Sequence, residues 1–261
     1  MRQDIAELVT SALSGARNSL ANLISLVEEE SLDASEIMQM ISPYLGKAYR
    51  IGITGPPGSG KSTLIDKLTA IIRSKGLSIG IIAVDPSSFI TGGAILGDRI
   101  RMQQHYLDNR VFIRSMATRG SYGGLSKAVG ATVNLLDACG KDIIIIETIG
   151  VGQAEVSIAE IADTVVLVLV PESGDEIQAM KAGLTEIADI IVVNKADRGG
   201  AERLSSELLN ALALSPRKHN PPIITAQAVN DVGIDKLYGE LEKQRLLKSS
   251  PATDQGSKGV I

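Results

Sequence analysis

Gly55-Pro56-Pro57-Gly58-Ser59-Gly60-Lys61-Ser62-Thr63 sets glycines, one lysine and two adjacent hydroxyls at a spacing that can hold phosphate. The pattern G-x-x-x-x-G-K-[ST] falls on Gly55, Gly60, Lys61 and Ser62. Glycines let successive backbone N–H groups turn inward onto phosphate oxygens. A helix that starts there adds its positive N-terminal end. The lysine can reach β- and γ-phosphates, and the serine hydroxyl can ligate Mg²⁺. The flanks suit this chemistry: apolar Tyr49 to Thr54 reads as a strand, and Leu64-Ile65-Asp66-Lys67-Leu68-Thr69 reads as a helix start.

Asn194-Lys195-Ala196-Asp197 follows a second apolar run, Ile190 to Val193. It matches the N-K-x-D pattern of guanine sites. A carboxylate at Asp197 accepts from the N1–H and the exocyclic N2 amine of guanine. Adenine lacks that amine and would turn an acceptor N1 toward the carboxylate, leaving it unsatisfied.

A third run, Ile143-Ile144-Ile145-Ile146-Glu147-Thr148-Ile149-Gly150, delivers a carboxylate at a strand end with a glycine three residues later. Such a carboxylate can hold Mg²⁺ directly or through water while the Gly150 N–H approaches a γ-phosphate. Glu147 stands where most GTPases carry Asp. Its extra methylene favours a water-mediated contact or the positioning of a water. Asp85 closes the run Ser78 to Val84, and Asp98 lies in the glycine-bearing stretch Thr91 to Arg99. Both acids can join a Mg²⁺ shell, and a loop carrying Asp98, Arg99 and Arg101 can order around a γ-phosphate. Asp98 alone also suits a helix N-cap.

The elements that would position these groups alternate. Strands are expected at Tyr49–Thr54, Ser78–Val84, Val111–Ser115, Ile143–Glu147, Val165–Val170, Ile190–Asn194 and Ile223–Thr225. Helices are expected at Leu64–Lys75, Leu125–Ala138, Ser157–Ile161, Glu176–Glu186, Ala201–Leu212 and Ile234–Leu247. Continuous Ile/Val runs belong to strands buried on both faces. The fold class is α/β: a P-loop NTPase with a doubly wound, mostly parallel sheet and a ligand at the carboxyl ends of its strands. Residues 1–47 read as an N-terminal helical extension, 48–247 as the P-loop domain and 248–261 as a disordered tail rich in Ser, Gly and Lys. In the extension, Leu8, Leu13, Leu20, Leu23, Ile24 and Leu26 recur at helical spacing, and Ile37, Met40 and Ile41 continue it. Glu28-Glu29-Glu30 ends one helix, and Asp33 or Ser35 caps the next.

The composition excludes several classes. The net charge of −4 gives no basic field for nucleic acid, and aromatics at 3% with no Trp give no base-stacking platform. The single cysteine, Cys139, excludes an intrachain disulfide framework and suits a reducing cytoplasm. The start shows no signal pattern. No apolar run reaches the about 18 residues of a membrane span. A cytoplasmic protein without nucleic-acid or membrane partners is expected.

Together these stretches resemble the MeaB-type P-loop GTPases, the methylmalonyl-CoA mutase-associated family formerly also labelled arginine/ornithine transport kinases. The likeness runs through Gly52-Ile53-Thr54-Gly55-Pro56-Pro57-Gly58, Ala83-Val84-Asp85-Pro86-Ser87-Ser88, Thr91-Gly92-Gly93, Leu96-Gly97-Asp98-Arg99, Glu147-Thr148-Ile149-Gly150-Val151-Gly152-Gln153 and Asn194–Asp197. It covers roughly Leu13 to Leu241. Arg119-Gly120 and Gly123-Gly124 resemble a further switch segment. The resemblance implies Lys61, Asp85, Asp98 and Glu147 at a GTP and Mg²⁺ centre. It also implies a GTP-hydrolysing chaperone whose partner is an adenosylcobalamin-dependent acyl-CoA mutase, with the adenosylcobalamin carried by that partner. Gln153 and Gly174-Asp175-Glu176 would then belong to switches that report nucleotide state. For Gln153, water positioning and partner contact both stay open. The base-capping pair, usually Ser-Ala in the family, falls on Gln227-Ala228; its contact to guanine O6 is normally a backbone one, which a changed side chain need not abolish. A homodimer through a C-terminal arm is a family habit, and this sequence ends at Ile261, shortly after its last helical pattern.

Two other functions compete. A nickel or zinc metallochaperone needs clustered soft or imidazole ligands, and Cys139, His105 and His219 are scattered. A kinase of a transport-related protein needs an acceptor site that no residue here identifies. Arg114 and Arg119 flank Ser115-Met116-Ala117-Thr118; they read as contacts to phosphate, coenzyme A or the mutase, or as solvated loop arginines.

Overall fold

The Ile/Val runs build the centre of one parallel sheet. The computed structural model describes residues 5–85, 102, 105, 107–117, 127–148, 154–171, 183–213 and 220–249. Its strands are β1 (Tyr49–Thr54), β2 (Ile79–Asp85), β3 (Val111–Ala117), β4 (Ile143–Glu147), β5 (Thr164–Leu169), β6 (Ile190–Val193) and β7 (Ile223–Thr225). They pair in the order β3-β2-β4-β1-β5-β6-β7, every pair parallel. Each residue of β4, β5 and β6 is buried, as continuous apolar strands covered on both faces require. β4 lies between β1 and β2. The chain therefore leaves β1 to one side, returns to β4, and crosses to β5 on the other. The carboxyl ends of β4, β1 and β5 meet at that reversal, with β6 one strand further on, and open α/β sheets take ligands there.

Helices cover both faces. On one, α4 (Lys61–Ser74) packs over Ile51, Ile53 and Ile81 through Leu64, Ile65 and Leu68. Leu237 and Leu241 of the helix at Ile234–Ser249 share that cluster. On the other face lie α1 (Ile5–Leu13), α2 (Arg17–Glu28), α3 (Ala34–Ile41), α5 (Lys127–Ala138) and α6 (Ala154–Ile161). There α7 (Leu184–Ile187) and α8 (Ala201–Ala213) extend the layer over β5 and β6; the last helix, Ile234–Ser249, is α9. The fold is the expected doubly wound α/β architecture. The expected helix Glu176–Glu186 and the first two residues of Leu125–Ala138 fall largely or wholly outside the described residues. No helix among the described residues is long and apolar enough to cross a membrane.

The N-terminal layer departs from its sequence pattern in one place. The first helical stretch is two helices, because Gly15 adopts φ +98° and ends α1. Gly15 N bonds Ala12 O at 2.9 Å and Ala16 N bonds Ser11 O at 3.1 Å, the paired closure of a left-handed helix terminus. Both amphipathic faces still point the same way. Leu8, Leu23, Ile24 and Ile37 pack with Ile82, Ile144 and Ile146 of the sheet. Each such fully buried side chain contributes about 1.5–3 kcal/mol relative to exposure. Asp33 does stand at the N-cap of α3, but its side chain makes no capping bond.

Arg114 requires a correction. It is neither a solvated loop arginine nor free for a phosphate, because β3 extends through it to Ala117. Its guanidinium is paired with Glu28 of α2 and donates to Ser25 Oγ at 3.1 Å. Arg17 similarly donates to Val111 O at 2.9 Å and lies over the Phe112 ring. These contacts fasten α2 to the edge strand. Arg119 lies outside the described residues.

Asp137, at the end of α5, fixes the entry to β1. Its side chain has no exposed surface. It accepts from Gly46 N at 2.8 Å, Lys47 N at 3.0 Å, Ala48 N at 2.9 Å and Arg50 at 2.9 Å. Burial opposes its ionisation, yet the N–H groups of Gly46, Ala48 and Lys47 with the Arg50 guanidinium outweigh it and hold the carboxyl below its ordinary value. A depressed folded pKa stabilises above the unfolded value and loses that contribution as pH falls through the folded one. Asp137→Asn should therefore cost about 2 kcal/mol at pH 7, the scale of a hydrogen bond to a charged group. Urea titrations should show that gap closing below about pH 4, where the unfolded wild-type carboxyl protonates.

Cys139 follows directly. Burial pushes its thiol up to about 11, with Lys141 pulling weakly the other way. At pH 8 the folded protein should react with a disulfide reagent at least tenfold more slowly than the guanidinium-unfolded chain, since the thiolate is the nucleophile.

Candidate functional site

The site begins where β1 ends. The loop from Gly55 to Gly60 runs into α4, whose first residue is Lys61 rather than Leu64 as its apolar pattern suggested. Lys61 is 6% exposed; its Nζ donates to Gly55 O at 2.8 Å and Pro56 O at 3.1 Å. Pro57 and Gly58 form the exposed crest of the loop. Ser59 is wholly buried, and its Oγ finds no hydrogen-bond partner among the described residues.

Across the loop mouth, β4 delivers Glu147, 5% exposed, in register with Ile53 of β1 and Ala83 of β2. Ser62 Oγ donates to Glu147 Oε1 at 2.8 Å. The two oxygens come from residues 85 apart in sequence. Thr148 N bonds Ile53 O at 3.0 Å and its Oγ1 donates to Thr54 Oγ1 at 2.9 Å, locking the ends of β1 and β4 together. A hydroxyl and a carboxylate side by side are hard oxygen donors of the kind Mg²⁺ takes when phosphates and waters fill its other positions. The donor set fits that ion. Asp85 ends β2 opposite Ala117, two residues beyond Ala83, the partner of Glu147. Asp98 and Gly150 lie outside the described residues, as does Gln153.

The base side is organised by Asn194. It follows β6, is 2% exposed, and extends the ladder through Asn194 N to Leu169 O at 2.8 Å. Its Nδ2 donates to Ser59 O at 2.9 Å, and its Oδ1 accepts from Ala228 N at 3.1 Å. One amide thus ties the phosphate loop to the turn carrying Gln227 and Ala228. Gly60 admits it: a Cβ there would lie 2.4 Å from Asn194 Nδ2. Lys195 takes φ +56° and starts the turn Ala196–Arg198, which holds Asp197. Gly60, Thr63, Asn194, Lys195, Asp197, Gln227 and Ala228 line a cavity of about 220 Å³. Arg198, Val229 and Asn230 also line it and were passed over in the sequence. Adjacency to Asp197 was a signal for Arg198; no pattern marked Asn230.

The described phosphate-loop residues, Glu147, Asn194 to Asp197 and the Gln227-Ala228 turn thus fall at one end of the sheet, and Arg114 does not join them. A phosphate loop, a strand-end carboxylate and an Asn-Lys-Ala-Asp cavity on a parallel α/β sheet define a P-loop GTPase. The family model described as "Methylmalonyl Co-A mutase-associated GTPase MeaB" matches residues 20–258, and the chain belongs to that family. A Pyrococcus abyssi relative, provisionally named a GTPase, is 52% identical over 246 residues, covering 92% of this chain and 76% of its own. The mouse "Methylmalonic aciduria type A homolog, mitochondrial" is 34% identical over 259 residues, covering 92% and 62%. Among solved structures, one titled "LAO/AO transport system kinase" superposes with a TM-score of 0.75 at 27% identity, over 95% of this chain and 79% of that one. The enzyme acts on GTP as a GTPase.

Proposed function

We propose that the protein uses GTP hydrolysis to chaperone an adenosylcobalamin-dependent acyl-CoA mutase such as methylmalonyl-CoA mutase. The mutase association printed for the family supports the partner, and the mouse relative's name points to the same metabolism. The observation that carries the chemistry is the 2.8 Å contact of Ser62 Oγ with Glu147 Oε1 at the mouth of the phosphate loop.

Lys61 exchanges its bonds to Gly55 O and Pro56 O for β- and γ-phosphate oxygens. Ser62 and Glu147 would hold Mg²⁺, with Asp85 and Asp98 assigned to the same shell by family likeness. Bound Mg²⁺ supplies neutralisation of charge on the β- and γ-oxygens. The loop N–H groups, joined by Gly150 N–H, stabilise charge that develops as water attacks in line. Asp197 pairs the guanine N1–H and N2 amine. The Ala228 N–H, shared with Asn194 Oδ1, caps O6. Nucleotide state then biases the partner's conformation, gating delivery of the cobalamin cofactor that the mutase carries.

The test is GTP hydrolysis with Mg²⁺ by the purified protein, alone and with a candidate mutase from the same source. Slow turnover that rises with the mutase supports the chaperone role. Turnover indifferent to every mutase tried removes the partner. Transfer of the γ-phosphate to a protein rather than to water would favour the kinase reading.

A further inference from the structure

We infer that Lys67 is a positioning residue for guanine, acting through Asp231 on the turn that caps the base. This rests on the guanine reading of the Asn194–Asp197 cavity. Helix α4 distributes its side chains around the whole site. Lys61 and Ser62 face the phosphate loop, Thr63 lines the base cavity, and Asp66 Oδ1 lies 3.2 Å from His105 Nε2. Lys67, six residues on from Lys61, reaches the turn that follows Ala228. Its Nζ lies 2.9 Å from Asp231 Oδ1 and donates to Oδ2 at 3.0 Å.

Asp231 belongs to a closed unit. Gln227 N bonds Val232 O at 2.9 Å, Val232 N bonds Gln227 O at 3.2 Å, and Asn230 N bonds Gln227 O at 2.9 Å. Within it Asp231 N bonds Ala228 O at 3.4 Å, and Asn230 Nδ2 donates to Gln227 Oε1 at 3.2 Å. A pull on Asp231 therefore moves Ala228. From the other side, Asn194 Oδ1 accepts from Ala228 N at 3.1 Å. The cap is tied to β6 through Ala226 N to Val193 O at 2.8 Å and through Asn194, and Lys67, on the helix that begins at the phosphates, ties its other end. These bonds fix the distance from phosphate loop to base cap, and that distance is what a nucleotide must match. No sequence pattern links the two residues, which are 164 positions apart.

The pair is partly exposed, 29% for Lys67 and 67% for Asp231, so its effect belongs to geometry rather than to global stability. The test uses Lys67→Met, and Asp231→Asn, which removes the charge while tolerating the φ of +58° found at this position. Dissociation constants are measured for GDP and IDP, alongside kcat and KM for GTP. Hypoxanthine keeps O6 and lacks the N2 amine. Both variants should weaken GDP and IDP by the same factor, about three- to fivefold, the size of a single exposed ion pair. The loss should fall on KM with kcat unchanged. About 0.5 M salt should bring the wild type to the variants by screening the pair. Lys67→Arg keeps the charge and the reach to Asp231, and its GDP affinity should stay near wild type while Lys67→Met loses it.

Wild-type affinity in Lys67→Met or Asp231→Asn would overturn the proposal, as would a loss for GDP that exceeds the loss for IDP, or a loss in Lys67→Arg equal to that in Lys67→Met. Equal wild-type affinity for GDP and IDP is a distinct failure, since it removes the guanine reading and this inference with it.

Discussion

Asp197→Asn should exchange GTP for XTP as the preferred nucleotide. In the proposed function the carboxylate accepts two hydrogen bonds from guanine, at N1–H and at the N2 amine. The carboxamide keeps one acceptor for N1–H but presents an N–H₂ group to the amine, so one bond is lost and two donors face each other. A hydrogen bond to a charged group is worth about 1.5–3 kcal/mol, and a buried donor left without a partner costs a similar amount. The affinity for GTP should fall by about 10²–10³-fold, at about 1.4 kcal/mol per tenfold. Xanthine carries an oxygen where guanine carries the amine, and the new amide donates to it. XTP should then bind with an affinity approaching that of GTP for the wild type. Competition titrations with GTP, XTP and ATP decide the matter. The geometry favours a local effect: Asp197 sits in the turn Ala196–Arg198, fastened by Ala196 N to Ala226 O at 3.1 Å and by Arg198 N to Lys195 O at 3.0 Å. Neither bond uses the Asp197 side chain. A variant that keeps GTP affinity would show that the cavity does not read the guanine edge.

Much of this arrangement was legible because it is written in local pattern. Tyr49–Thr54, Ile143–Glu147 and Ile223–Thr225 appear with the expected ends, since apolar runs stop where the polar site begins. The phosphate loop was legible too, because glycine spacing determines where the backbone can curl. The misses are nonlocal or conformational. The start of α4 was placed three residues late because Lys61, Ser62 and Thr63 read as loop by polarity while their backbones are already helical. Gly15 splits the first helix through a left-handed turn that apolar periodicity does not register. Arg114 reads from sequence as a ligand contact or a solvated loop arginine because its partner, Glu28, lies 86 residues away on another layer. The double duty of Asn194 is likewise invisible to its motif, since Ser59 and Ala228 come from two distant loops.

The largest catalytic effect is expected at Glu147, and Glu147→Gln separates its charge from its shape. Glutamine is isosteric, and its side-chain oxygen can still accept from Ser62 Oγ, the bond that measures 2.8 Å in the wild type. The neighbours on β1 and β2, Ile53 and Ala83, need not move. What disappears is the negative charge at a position only 5% exposed. A buried carboxylate is costly unless a cation or strong donors compensate it, and the proposed compensation is Mg²⁺ beside Ser62. The variant should bind GDP as the wild type does when EDTA removes the metal. In Mg²⁺ it should lose the metal's contribution to GTP affinity, and kcat should fall about 10²-fold, comparable to the removal of one group that stabilises transition-state charge. Single-turnover hydrolysis across a Mg²⁺ titration reads both effects, with thermal melting as the control for folding. Glu147→Asp adds a test of reach. Shortening the side chain by one methylene opens the contact to Ser62 while keeping the charge. A charge acting through a bridging water would then preserve most of the rate. A charge in direct contact with the metal would raise the Mg²⁺ requirement as Glu147→Gln does. If Glu147→Gln hydrolyses GTP within a fewfold of wild type at every Mg²⁺ concentration, the carboxylate's charge is not needed for the metal, and the metal centre must be sought at Asp85 and Asp98.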